Sequence, residues 1–279
     1  MKKILLIFLL ISVTTYSDDR RPANVDITSE SFINDSTYLG NKIIPNFTKA
    51  KSILKKSNFF GIKEELYCGC EFFKWKIPKD AKCGIKARKN INRAFKIEFE
   101  HIVPFENQVG HTVVWDSGIP LCKGKKGRKC ASKVFAHMEG DLWNLWPAGG
   151  EMNGDRNNFS YAMVQGKRDK YGKCDFIVQD RKAEPRDEVK ALVAFTYLYF
   201  QKTYAKYLRT NYVSVKNEKL FEAWRNMPLT TAQCAWASGV VKVQKNKNVD
   251  LLDACERRLI TKHGRKAHGL IQGLYGHVW

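Results

Sequence analysis

Few stretches of this chain keep a steady pattern of apolar and polar positions, and each one that does predicts an element. Ile4 to Ile11 is an unbroken apolar run after the positive start Met1-Lys2-Lys3, and small residues close it at Thr15-Tyr16-Ser17. The run is far shorter than the ~20 residues that cross a bilayer, so residues 1–17 read as a cleaved export signal and not as an anchor. Asp18 to Asn46 is polar and has no sustained period, which predicts a loosely ordered extension. Lys49 to Lys56 places Ala50, Ile53 and Leu54 on one helical face. The segment Phe95 to Pro104, FKIEFEHIVP, reads as a strand that stops at its proline. A Pro-Ala-Gly-Gly break at Pro147 to Gly150 divides an apolar run from a polar segment able to start a helix. Asp187 to Leu208 is the strongest helix, with Val189, Leu192, Val193, Thr196 and Phe200 as its apolar face. A second helix carries Leu220, Phe221, Trp224 and Met227 and ends at Pro228. From Phe47 onward the chain has ample length for one core, with no internal repeat or low-complexity linker, and it closes on a basic tail over 256–279.

Cysteine usage agrees with export. Eight cysteines follow the leader, and an even number in an exported chain predicts a disulfide framework. A zinc site is disfavoured because no CxxC pair is present and Cys68-Gly69-Cys70 is too tight for a metal knuckle. Cys122–Cys130 is the one pairing we name from sequence, across a short KGKKGRK loop. Charge then narrows the partners. Lys and Arg number 48 against 28 Asp and Glu, a net charge of +20. The excess is clustered at Lys86 to Lys96, Lys123 to Lys133 and Arg257 to Lys266, which points to a polyanionic partner.

Two polar stretches carry candidate chemistry. Glu100 and His101 stand at the end of the predicted strand. Glu151, Asn153, Asp155 and Arg156 crowd the segment after the Pro-Ala-Gly-Gly break. A carboxylate and an amide oxygen suit Mg²⁺, which keeps several waters and accepts phosphate oxygens. An imidazole can take a proton from water near neutral pH, and the guanidinium of Arg128 can hold a phosphate through its planar fork. These are the parts of a phosphodiester hydrolase. Two other classes remain: an exported nucleic-acid-binding protein without catalysis, and a hydrolase of another polyanion with Glu100 and Glu151 as its carboxylate pair.

The signatures YCGC at Tyr67 to Cys70, RKNINRA at Arg88 to Ala94, EFEHIVP at Glu98 to Pro104 and GRKC at Gly127 to Cys130 resemble those of the endonuclease I family. So do MEGDLWNLWPAGGEMNGDRNNF at Met138 to Phe159, YGKCDF at Tyr171 to Phe176 and FEAW at Phe221 to Trp224, and all eight cysteines fit the family's spacing. The resemblance covers residues 47–255 and implies a ββα-metal (His-Me finger) nuclease core within a single α+β domain there. It further implies Glu100 and Asn153 as metal ligands, His101 as general base, Arg128 as the phosphate-binding residue and Glu139 as the group that orients His101. It also implies Mg²⁺ as cofactor, with Mn²⁺ or Ca²⁺ as substitutes. Single- and double-stranded DNA, with RNA left open, would be cut by a periplasmic or secreted monomer without strong sequence preference, leaving 5′-phosphates. The chain departs from its relatives at Trp143, where they usually have His; we read Trp143 as a packing or substrate-facing change.

Overall fold

The computed structural model describes residues 31–104, 132–204 and 215–263. The export signal, Cys122–Cys130 and Arg128 lie outside the described residues. Helix α1 (Phe47–Lys56) is capped by the Asn46 side chain, which accepts from the Lys49 amide, and it buries Ala50 and Leu54 as its period predicts. Beyond it, Asn58, Phe59 and Phe60 all adopt positive φ. That costly left-handed turn is held by burial of Phe59 against Trp75 and Phe99.

Strand β1 (Ile97–His101) follows a single helical turn at Ile91–Ala94. After helix α2 (Lys133–Glu139) comes strand β2 (Leu145–Gly149), which pairs antiparallel with β1, His101 opposite Leu145 and Ile97 opposite Gly149. The Pro-Ala-Gly-Gly break therefore does not interrupt the strand. Pro147 sits opposite Phe99 in a two-stranded ribbon, and its carbonyl accepts from the Leu66 amide. Helix α3 (Gly150–Arg156) leaves β2 directly. Three short strands, β3 (Ser160–Tyr161), β4 (Ile177–Gln179) and β5 (Lys182–Glu184), form a second sheet in the order β3-β5-β4.

Helix α4 (Asp187–Tyr204) is buried on more than the one predicted face, because Ala191, Ala194, Phe195, Tyr197 and Tyr199 are covered as well. Even Lys190 is buried, neutralised by Glu184 and Asp187 at 2.7 Å each. Helix α5 (Val215–Trp224) precedes α6 (Thr231–Gln244) and α7 (Val249–His263). A capping box between Thr230 and Gln233 starts α6. Trp236 of α6 packs edge-on against Trp143 and Trp146.

Two expected boundaries move. The extension ending at Asn46 is not loose over its described part, since Phe32, Tyr38, Asn41 and Ile44 are buried. Single apolar residues dock there one by one, fixed by the Asn41 amide on the carbonyls of Ile44 and His137, and such docking leaves no periodic signature. The first part of the basic tail is helical and belongs to α7. Disulfides Cys68–Cys174, Cys70–Cys83 and Cys234–Cys255 cross-link the described chain. No helix among the described residues is long and apolar enough to cross a membrane.

Candidate active site

Side chains alternate along β1. Phe99 and His101 face α1, where both rings meet Phe47. Glu98 and Glu100 face α3, where Asn153 and Arg156 reach them. The structure thus gathers Glu98, Glu100 and Asn153 on one face of the strand end. His101 stands on the other face with Glu139, whose backbone carbonyl lies 3.0 Å from the His101 Nε2. A carbonyl only accepts, so Nε2 carries the proton and the neutral ring keeps its lone pair on Nδ1. Burial pushes the His101 pKa down to about 4; the Glu139 carbonyl opposes this, and the charges of Arg156 and Lys51 add to it. His101 is therefore neutral at physiological pH.

Glu100 is almost wholly buried, and burial pushes its carboxyl up to about 7 against the opposing pull of Arg156 and the Tyr67 hydroxyl. Both partners donate to the same oxygen, Tyr67 at 2.5 Å and Arg156 at 2.8 Å. Neither of them bonds the other oxygen, Oε2. Arg156 is a pin that the sequence reading left without a role. Its fork also donates to the carbonyls of His101 at 2.9 Å and Ile102 at 2.5 Å, and its plane stacks 4.6 Å from the Tyr161 ring. One buried guanidinium so fixes the strand end that carries both Glu100 and His101.

Asn153 Nδ2 lies 3.1 Å from Glu98 Oε2, and Glu98 is gripped by two parallel bonds from Arg93 at 2.8 Å each. An ionised carboxylate accepts only, so the amide must turn its NH₂ toward Glu98 and its Oδ1 away. Glycines leave room for this ion pair. A Cβ on Gly150 would meet Glu98 at 2.6 Å, and one on Gly154 would meet Arg93 at 2.3 Å. The Asn153 Oδ1 and the carboxylates of Glu98 and Glu100 are oxygen donors of the kind that suits a hard cation.

The remaining acids of α3 have structural duties. Glu151 accepts from the amides of Arg88, Lys89 and Asn90, which removes it as half of a hydrolytic pair with Glu100. Asp155 takes two bonds from Arg88 and one from the Tyr171 hydroxyl. Arg88 and Arg93 are thus spent on carboxylates, so the Lys86 to Lys96 cluster is less basic than its sequence suggests. Glu65, Cys68 and Cys70 lie close enough to suggest a metal, but both sulfurs are in disulfides. The Glu65 oxygens accept from the amides of Tyr67, Cys68, Cys70 and Gly149. Trp143 is fully buried and donates to Asn246 at 3.2 Å, which makes it a packing residue.

Comparison with known proteins shows which family this sequence comes from. The family model for Endonuclease I matches residues 46–250. This chain belongs to the endonuclease I family. It is 35% identical over 235 residues to Endonuclease-1 of Buchnera aphidicola subsp. Acyrthosiphon pisum (strain APS), covering 81% of this chain and 88% of that one. It is 37% identical over 200 residues to a periplasmic deoxyribonuclease of Aeromonas hydrophila, with 68% and 78% covered. An extracellular deoxyribonuclease of the same organism is 34% identical over 223 residues, with 76% and 90% covered. Endonuclease I enzymes are metal-dependent nucleases, and the matched span contains every candidate site residue.

Proposed function

We propose that this endonuclease I protein is an exported, metal-dependent deoxyribonuclease that hydrolyses DNA with little regard to sequence and leaves 5′-phosphates. The observation that carries the reading is the strand end that sets Glu100 beside the neutral imidazole of His101, with Asn153 brought to the same strand by its bond to Glu98. The names of the Aeromonas relatives support DNA as substrate and a location beyond the inner membrane. In this reading β1, β2 and α3 form the ββα-metal core, and Glu100 and Asn153 would hold Mg²⁺. When bound, that cation offsets the negative charge that grows on the phosphate oxygens.

The chain's own groups do the rest. A phosphate lying across the end of β1 is within reach of groups from both strand faces. His101 Nδ1 takes a proton as the water oxygen bonds to phosphorus; the bond from phosphorus to the 3′-oxygen breaks, and that oxygen takes a proton from solvent. Glu139 keeps the proton on Nε2 throughout, and Arg128 adds positive charge at the phosphate. Because every named contact is to phosphate or metal and none is to a base edge, the cut carries little sequence information.

Plasmid digestion tests this reading. The wild-type protein should cut with Mg²⁺ and stop cutting when EDTA is added. The His101→Ala variant should lose ~10²–10⁴-fold in cleavage rate with an unchanged Kd for DNA. Normal turnover by His101→Ala would remove His101 as the base.

A further inference from the structure

Beside His101, helix α1 presents a second feature that the mechanism does not use. Phe47, Lys51 and Lys55 recur at four-residue intervals and so line one edge of the helix. The Phe47 ring lies 4.5 Å from the His101 ring, and the Lys51 ammonium sits 4.5 Å over the same Phe47 ring. Lys55 is held likewise, 5.9 Å from the Trp75 ring and 6.0 Å from the Phe99 ring. Phe99 stands on the same face of β1 as His101. Helix α1 bears Lys49, Lys51, Lys55 and Lys56 and no acidic residue. Neither Lys51 nor Lys55 has an ion-pair partner among the described residues.

A row of lysines on a helix is most often a solvated face. Two observations set this one apart. Its ammonium groups are held over aromatic rings, so binding an anion costs them less side-chain freedom than it would cost free lysines. One end of the row also abuts the imidazole that stands at the proposed cleavage point. We propose that the Lys51–Lys55 edge of α1 is a rail for DNA, binding backbone phosphates that neighbour the scissile one. One helical turn separates the two lysines by about 6 Å along the axis, so each addresses its own phosphate. The rail rests on the reading of His101 as the cutting end. It supplies affinity and register without base readout, as phosphate contacts do.

The experiment compares duplex binding by fluorescence anisotropy, in EDTA and across a salt series, for wild type and Lys51→Ala/Lys55→Ala. Each lost phosphate contact should flatten the fall of log affinity with log salt by about 0.9. Lys51→Arg/Lys55→Arg should restore the slope, and kcat at saturating DNA should stay within about twofold of wild type while KM rises. Lys202→Ala/Lys247→Ala removes the same charge from lysines beside a separate cavity of about 500 Å³ and should leave the slope alone. An unchanged slope in the α1 variant overturns the rail. So does an equal change in the Lys202/Lys247 control, which would make the effect one of net charge. Loss of kcat with the slope intact also overturns it, because Lys51 would then act in the chemistry. Normal cleavage by His101→Ala with the α1 slope change intact would strike only the base assignment, so the two readings fail separately.

Discussion

At the scale of single residues, orientation decides what each group can offer. Glu98 is the clearest case, because its only route to the chemistry is through another side chain. By accepting from Asn153 Nδ2 at 3.1 Å it sets which end of the amide faces outward, and Arg93 fixes Glu98 in turn. Glu98→Gln gives the site a side chain that can donate as well as accept, so it no longer selects one amide orientation. Loss of such an outer partner typically weakens metal binding by ~10–100-fold. Calorimetric titration of Mg²⁺ or Mn²⁺ into Glu98→Gln should show that loss, and excess metal should restore cleavage. A metal affinity equal to wild type would show that Glu98 does not orient Asn153. The sequence made Glu100, His101 and Asn153 legible because they sit in compact motifs. The roles of Glu98, Tyr67 and Arg156 are not legible there, because Tyr67 and Arg156 reach Glu100, and Glu98 reaches Asn153, across long stretches of chain. A signal existed for Glu98, which shares a strand face with Glu100 two residues on.

Among the elements, legibility followed length and regularity. Helix α1, β1 and α4 were readable because each repeats its period several times. The strands β3 to β5, of two or three residues each, are too short to show a period at all. The most consequential short piece is the turn at Glu65 to Cys70, which has no regular structure yet places Tyr67 against Glu100. Its organiser is Glu65, a buried carboxylate whose two oxygens accept four backbone amides, one of them at the end of β2. Burial raises its pKa, while the amides from Gly149, Tyr67, Cys68 and Cys70 pull it back. Glu65→Gln would put an NH₂ where amide donors already point. Leaving buried donors unpaired costs roughly 1–3 kcal/mol, and for a domain of this size that is a fall in Tm of about 2–4 °C per kcal/mol. Scanning calorimetry should show the loss, with lower activity as Tyr67 and Glu100 come out of register. A Glu65→Gln variant with wild-type Tm would mean that the turn is held by its disulfides alone.

Over the whole molecule, the framework is built on covalent ties that sequence counting could announce but not connect. Eight cysteines predicted bridges, yet pairing depends on which turns the fold brings together. The two cysteines that flank Gly69 part company, Cys68 to Cys174 across 106 residues and Cys70 to Cys83 across 13. The third described bridge, Cys234–Cys255, ties α6 to α7 across 21 residues. Closing a long loop removes more freedom from the unfolded chain than closing a short one, roughly 4.7 against 3 kcal/mol at 25 °C for loops near these two lengths in the chain-entropy model. The Cys68–Cys174 tie also joins the turn that carries Tyr67 to the segment that carries Phe176, whose ring lies 4.3 Å from that of Tyr67. Replacing Cys68 and Cys174 together by Ala should therefore lower Tm more than replacing Cys70 and Cys83. Dithiothreitol, which opens every bridge it reaches, should lower Tm further than either pair. Equal losses for the two pairs would mean that native contacts around the turn, and not the span of the loop, set the stability of this end of the domain.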